Sequence, residues 1–209
     1  MPMWIPEKVW DGQDVFIIGG GTSLKTFDWS LLKKELTIGC NDAYKHGVEI
    51  CKICIFGDAS WFKIHKDKLA HYKGTVFTNY NALQKADISW LWSIPRKTYG
   101  LGINTLGWNG NTGAAAVNLA ILLGAKNIFL LGFDMKLSKD GKANWHENKV
   151  NKPDAYVYNK FIQGFLQLKK DLVLFPDVNV FNVTDDSDLN TFPKIGINKF
   201  WNERIKIGA

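Results

Sequence analysis

Residues 111–135, NTGAAAVNLAILLGAKNIFLLGFDM, constrain the fold more than any other stretch of the chain. The first half is helical in pattern and almost without bulk. Ala114, Ala115, Ala116 and Ala120 let this helix lie close against a sheet. Gly124, directly after Leu123, suits a left-handed cap at the helix C-terminus. The apolar run IFLLGFD then reads as a central strand that ends on a carboxylate, Asp134. A helix and a strand packed this tightly predict an α/β chain.

The rest of the sequence repeats the alternation. DVFIIGG (14–20) is a short β-branched run closed by glycine, the pattern of a strand buried on both faces. LTIGCND (36–42), ICKICIFGD (50–58), GTVFTN (74–79) and VNVFNVTDDS (178–187) read as further strands. FDWSLLKKE (27–35), SWFKIHKDKLAHY (60–72) and YVYNKFIQGFLQLKKDL (156–172) have helical spacing. Trp90 and Trp92 share one face of a short strand, and residues 80–110, with their glycines and aromatics, read as a flap. The fold expected is a single Rossmann-like α/β domain over residues 1–209, a mostly parallel sheet with helices on both faces. Right-handed crossovers then bring the strand carboxyl ends to one edge, where such folds bind ligands.

Composition narrows the function classes. With 46% hydrophobic and 22% charged residues among 209, the chain is ordinary globular material. No run of about 18 apolar residues occurs, and MPMWIPEKVW lacks the apolar core of a signal peptide, so a cytoplasmic protein without a membrane partner is expected. The net charge of +6 is spread out. It favours anionic ligands and would tolerate a nucleic-acid acceptor, but no basic run with interleaved aromatics indicates one. Three cysteines, Cys40, Cys51 and Cys54, read as buried free thiols.

The strand-end polar residues supply the candidate site: Gly19, Gly20, Gly21, Thr22, Ser23, Asn41, Asp42, Asp58, Asp134 and Asn182. Three consecutive glycines tolerate positive φ and free their amides to form an anion nest. A following helix would aim its positive end there, and Thr22 and Ser23 add hydroxyls. The loop is neither GxGxxG, with Leu24 at the sixth position, nor a Walker A loop. Asn41 reads as a base or ribose contact, or as a turn residue. Asp58 reads as a ribose contact or as the N-cap of the helix from Ser60. Asn111, Thr112 and Gly113 open the alanine-rich helix and form a second donor cluster. Asp134 suits a metal ligand, a proton acceptor or a salt bridge. His146, in the polar loop DGKANWHEN, is a candidate general base or acid. His46, His65 and His71 read as surface residues, and TDDSD (184–188) as turns.

Taken together, the motifs DVFIIGGGTSLKTFDWSLL, TIGCNDAY, CIFGDASWF, GWNGNTGAAAVNLAILLGAKNIFLLGFDM, NWHEN and NVTDDSDLNTFP resemble a phage and prophage branch of the 6-hydroxymethylpterin diphosphokinase (MptE-like) family over about residues 10–193. That family has proline where Thr22 stands. More distantly, the pattern is similar to Rossmann-like bacterial sialyltransferases. The second resemblance implies a cytidine nucleotide donor held by Gly20, Gly21, Asn41, Asp58, Thr112 and Gly113, with His146 as the catalytic histidine. Where those enzymes place a tyrosine after the acidic residue, this chain has Lys136, and it has little room for their long lid.

Three functions follow. A metal-independent glycosyltransferase would hold a nucleotide sugar, a nucleoside mono- or diphosphate sugar, and use His146 to deprotonate an acceptor hydroxyl. A diphosphokinase would pass pyrophosphate from ATP with Mg²⁺ held by Asp134, alone or with Asp58, while the glycine loop and Lys136 offset phosphate charge. A non-catalytic nucleotide-binding phage accessory protein would keep the cleft without a placed base. The first is preferred, in the cytoplasm of a bacterial host if phage-encoded. The acceptor and the oligomeric state are left open.

Overall fold

The computed structural model of the protein describes residues 2–84, 86–146 and 155–207. In chain order the elements are β1 (Asp14–Ile18), β2 (Leu36–Cys40), β3 (Ile53–Phe56), α1 (Ala59–Ala70), β4 (Thr75–Thr78), β5 (Leu91–Ser93), β6 (Arg96–Lys97), β7 (Leu106–Gly107), α2 (Thr112–Leu122), β8 (Asn127–Leu131), α3 (Ala155–Asp171), β9 (Asn179–Asn182) and α4 (Ile197–Ile207). Seven strands form one sheet in the order β5-β4-β3-β2-β1-β8-β9. Every pairing in it is parallel, so the expected Rossmann-like α/β sheet is present.

Alternate residues along each strand feed two cores. Val15 and Ile17 of β1, with Ile128 and Leu130 of β8, pack with α2 and with Phe165 and Leu168 of α3. Phe16 and Ile18, with Phe129 and Leu131, pack with Trp61, Phe62 and Leu69 of α1 and with Phe200 and Trp201 of α4. Strands buried on both faces need unbroken apolar runs, which is why DVFII and NIFLL read so clearly. All of α2 is buried, and Gly124 takes φ +95° at its end, as a left-handed C-cap requires. The three cysteines are free and buried, as their sequence context implies.

Three expectations are corrected. Residues 27–35 do not form an α-helix. Phe27 is extended (φ −71°, ψ 134°), and the Asp28 side chain starts a fresh 3₁₀ turn, Trp29–Leu32, by accepting from Ser30 N at 3.0 Å. Residues 80–110 are tied down rather than flap-like. They supply the edge strand β5 and the small parallel ladder β6–β7, and the buried Asn118 side chain of α2 grips them. Asn118 Oδ1 accepts from Gly102 N and Gly107 N, each at 2.8 Å, and Nδ2 donates to Gly102 O at 3.0 Å. Helix α4 was not foreseen. It packs Phe200 and Trp201 on Phe16, and Arg204 pairs with Asp14 and Glu35.

The strand order runs outward from β1 to β5, and the chain then crosses back through α2 to place β8 on the other side of β1. The order therefore reverses between β1 and β8. A crevice at their carboxyl ends is the position at which such sheets bind ligands.

Candidate functional site

At that reversal point lies a cleft of about 480 Å³. Gly19, Gly20 and Gly21 form one rim, Asn41, Asp42 and Asp58 a second, and Asn111, Thr112 and Gly113 a third. Asp134, Lys136, Asn144 and His146 also line it. The candidates from six sequence segments thus converge on one hollow. Thr22, Ser23 and Asn182 do not line it.

The glycine loop is built differently from the nest that its sequence suggests. None of the three glycines has positive φ; Gly132, opposite them, does, at +71°. Gly19 N donates to Leu131 O and Gly21 N to Gly132 O, each at 2.8 Å. Those two amides extend the β1–β8 ladder and do not open into the cleft. The glycines are there for close approach. A Cβ on Gly19 would stand 2.6 Å from Gly132 O, and one on Gly21 would stand 2.1 Å from Asp134 Oδ1. The loop also leads into a five-residue 3₁₀ turn, Thr22–Thr26, and not into a long helix.

Asp134 is the clasp of this loop. Its Oδ2 accepts from Ser23 N at 2.9 Å and from Thr22 Oγ1 at 3.2 Å, and its Oδ1 accepts from Ser23 Oγ at 2.5 Å. The Thr22 and Ser23 hydroxyls expected to face an anion are therefore turned to a carboxylate. The loop after β9 holds the clasp in place: Ser187 Oγ donates to Phe133 O at 2.6 Å and Asp188 N to Asp134 O at 2.9 Å. This is the use of the TDDSD turns, and Asn182 braces them through Ser187 Oγ and Leu189 O. Lys136 borders the cleft, but its ammonium pairs with Asp186, and with Asp188 at 3.5 Å.

The anion-attracting end that remains is the start of α2. Asn111 Oδ1 caps it by accepting from Ala114 N at 2.7 Å, so the Asn111 side chain serves the helix. The first-turn amides have no partner within a helix, and the dipole of this 11-residue helix puts its positive end at the cleft. Asp58 likewise caps α1 through Ser60 N at 3.0 Å while lining the cleft. Asn41 sits at φ +52°, and its buried Oδ1 has no hydrogen-bond partner among the described residues.

His146 is mostly buried, its side chain 14% exposed, with Nδ1 at 3.4 Å from Asp42 Oδ2. Its Nε2 lies 3.8 Å from where a Gly20 Cβ would stand, so the ring's far edge faces the glycine rim. Trp145 fixes the loop, donating from N to Gly20 O at 2.9 Å and from Nε1 to Gly19 O at 3.0 Å. Behind it, His46 stacks on Trp29 at 3.7 Å and meets Trp145 at 4.7 Å. His65 is buried against Trp61 and Tyr44. Neither is the surface histidine expected. Burial lowers the pKa of both, with Asp42 opposing the shift at His65. Glu147, next to His146, lies outside the described residues.

Sequence reasoning missed Trp108, Tyr158 and Phe161, which complete the cleft wall. Trp108 stands where a Gly57 Cβ would be, at 2.1 Å, and carries Arg96 over its ring at 4.3 Å. Tyr158 is buried where Tyr156 is exposed. Burial and then the nearby Asp134 charge push its hydroxyl up to about 12, so it stays protonated. The i, i+2 aromatic pair on a helix was the available signal, since only one of the two can face inward.

No known protein family pattern matches the chain, and no curated protein does. Solved structures do. A Maf glycosyltransferase from Magnetospirillum magneticum AMB-1 superposes with a TM-score of 0.66 at 14% identity, covering 94% of this chain and 35% of that one. The sialyltransferase CstII from Campylobacter jejuni, in complex with cytidine 5′-monophosphate, gives 0.55 at 14% identity, covering 88% and 85%. An α-2,3-sialyltransferase from Campylobacter jejuni in apo form gives 0.53 at 18% identity, covering 99% and 100%. The chain therefore spans about a third of the first protein's length and most or all of the other two. The fold is the one these glycosyltransferases share.

Proposed function

We propose that this chain is a glycosyltransferase that takes its sugar from a nucleotide-sugar donor. The observation that carries the reading is the meeting of a histidine, a helix N-terminus and the bare glycine rim on one 480 Å³ cleft at the β1–β8 reversal. The donor's phosphate lies against Thr112 and Gly113, at the positive end of α2. Its nucleoside extends toward Asn41 and Asp58. His146 takes the proton from the acceptor hydroxyl as that oxygen bonds to the anomeric carbon. The bond from that carbon to the phosphate oxygen breaks, and its electron pair leaves with the nucleotide. Leaving-group charge then grows at the helix end that best stabilises it.

Likeness in fold to a sialyltransferase solved in complex with cytidine 5′-monophosphate supports a nucleotide donor. The diphosphokinase alternative needs Asp134 to hold Mg²⁺ beside ATP. Both Asp134 oxygens already accept from Thr22 and Ser23, which favours the clasp over the ligand. The test is turnover of a panel of nucleotide sugars with and without excess EDTA, in wild type and His146→Ala. The expected result is turnover that survives EDTA and falls about 10²–10⁴-fold in the variant. Full activity in His146→Ala would remove the mechanism. Tight nucleotide binding with no donor turned over would point to the non-catalytic binding protein.

A further inference from the structure

We infer that Trp108 is the platform on which the donor's nucleobase stacks, with Arg96 bracing the indole from the side away from the cleft. The inference deepens the glycosyltransferase reading and rests on it for the identity of the ligand. The platform itself rests on the geometry.

Trp108 lines the cleft and is half-buried, while Arg96 does not line it. The indole is held at an edge and at a face. Its edge lies on Gly57, where any Cβ would overlap Cζ3 and Cη2 of the ring. One face carries the Arg96 guanidinium, whose Cζ stands 4.3 Å from the ring centroid. A cation so placed is attracted by the negative π face.

Arg96 is itself fixed. Its Nε donates to Asn79 O at 2.9 Å, and Nη2 donates to Gly57 O at 2.7 Å and to Asn79 Oδ1 at 3.2 Å. Its backbone N donates to Asn81 Oδ1 at 3.1 Å. These partners lie just past the ends of β3 and β4, so the planar fork ties the indole to the sheet, which a lysine could not reproduce. A ring braced before the ligand arrives loses little freedom on binding.

Position selects the part of the ligand that meets the ring. Gly57 precedes Asp58, which with Asn41 lines the end of the cleft assigned to the nucleoside. On its other side Trp108 leads into α2. Asn111 N donates to Trp108 O at 3.1 Å, closing a turn in which Asn109 and Gly110 take φ of +49° and +77°. The turn is pinned from outside. Trp108 N donates to Lys97 O at 2.8 Å and Asn109 N to Thr98 O at 2.9 Å. The Asn109 side chain accepts from Gly100 N at 2.7 Å and donates to Gly100 O at 3.0 Å. The indole therefore stands one tight turn from Thr112 and Gly113, where the reading puts the phosphate. A flat apolar face between a phosphate end and a ribose end is the place of the base. Stacking holds any base by its π face, so Trp108 supplies affinity for all four and leaves the choice among them to polar groups at the rim.

The experiment is calorimetric titration of wild type, Trp108→Leu and Trp108→Phe with CMP, UMP, GMP and AMP, and with ribose 5-phosphate. In Trp108→Leu each mononucleotide that binds should lose about 5- to 150-fold in affinity, with a smaller loss in Trp108→Phe. Affinity for ribose 5-phosphate should stay within about twofold in both variants. Equal losses for ribose 5-phosphate and the mononucleotides overturn the inference, as does a loss confined to the acceptor KM, which would make the indole an acceptor platform. If Trp108→Leu fails to fold, nuclear Overhauser contacts in the wild type decide. Contacts between the bound base and the Trp108 indole, assigned with Trp108→Phe, uphold the inference, and their absence overturns it. Mononucleotide binding undiminished in Trp108→Leu overturns the inference and leaves the functional reading standing. A wild type that binds no mononucleotide overturns the reading and the inference with it.

Discussion

Two adjacent glycines divide the labour of the cleft rim. A methyl on Gly21 would sit 2.1 Å from Asp134 Oδ1 and 2.6 Å from Gly132 O, a carbonyl held in the sheet. Gly21→Ala should therefore destabilise the protein by about 1–3 kcal/mol, measured by urea denaturation. A methyl on Gly20 presses on Asn144 Oδ1, at 2.8 Å, the far end of a side chain that can move, and meets His146 Nε2 at an ordinary 3.8 Å. Gly20→Ala should change stability by no more than about 0.5 kcal/mol and weaken nucleotide affinity by crowding the cleft. Equal effects on stability would contradict this division. The sequence marked these positions as special but not why. GGG reads as freedom of φ, whereas what it supplies is room for the end of β8, and nothing local names Asp134, far along the chain, as the neighbour of Gly21. His146 was legible as a lone polar-loop histidine. Asp42 was visible as a strand-end acid, but its pairing with His146 comes from the fold.

At the scale of elements, α2 holds the site together at both ends. Asn111→Ala removes its cap and should cost about 1 kcal/mol, with a matching loss of nucleotide affinity if the helix start holds phosphate. Thermal melts and titration with a nucleotide check the two parts separately. Asn118→Ala strips partners from two buried amides and one carbonyl, so about 3 kcal/mol is expected in denaturant. A loss below about 1 kcal/mol would mean that residues 80–110 are held by their apolar side chains alone. The elements that sequence periodicity found, β1 to β4, β8, β9 and α1 to α3, are those with apolar runs on a fixed period. Residues 27–35 misled because Leu31 and Leu32 satisfy a helical stripe while Phe27 and Asp28 break the backbone path. Helix α4, INKFWNERIKI, carries Ile197, Phe200 and Trp201 at helical spacing, but that they cover Phe16 and Phe129 is visible only in the fold.

For the whole molecule, burial couples stability to pH. His46 and His65 have pKa values lowered in the fold, so below the usual imidazole value of about 6.5 the unfolded chain binds protons that the folded one resists. Stability should be level above neutrality and fall as the pH drops through that value. A second loss belongs to Asp42. Its pKa is lowered by its partners, so its contribution is present above the ordinary carboxyl range and disappears as the pH falls through its folded value. Melting temperatures from pH 8 down to about pH 2 should therefore decline in two stages, the histidine stage below about pH 6.5 and the Asp42 stage below the ordinary carboxyl value of about 3.9; a profile flat between about pH 8 and pH 5 would contradict the burial of both histidines. The parallel sheet was legible from alternating strands and helices; its strand order, and so the reversal at β1–β8, was not, because no local pattern says which strands pair. The cleft's aromatic wall was not, because Trp108, Tyr158 and Phe161 come from a loop and a helix with no shared sequence signal. The central claim is that the hollow at this reversal receives a nucleotide. Difference density from crystals soaked in turn with CMP, UMP, GDP and ADP tests it most directly. The account predicts a phosphate against Thr112 and Gly113 with the nucleoside running toward Asn41. An empty cleft at saturating concentrations of all four, or a nucleotide bound elsewhere on the surface, would contradict it.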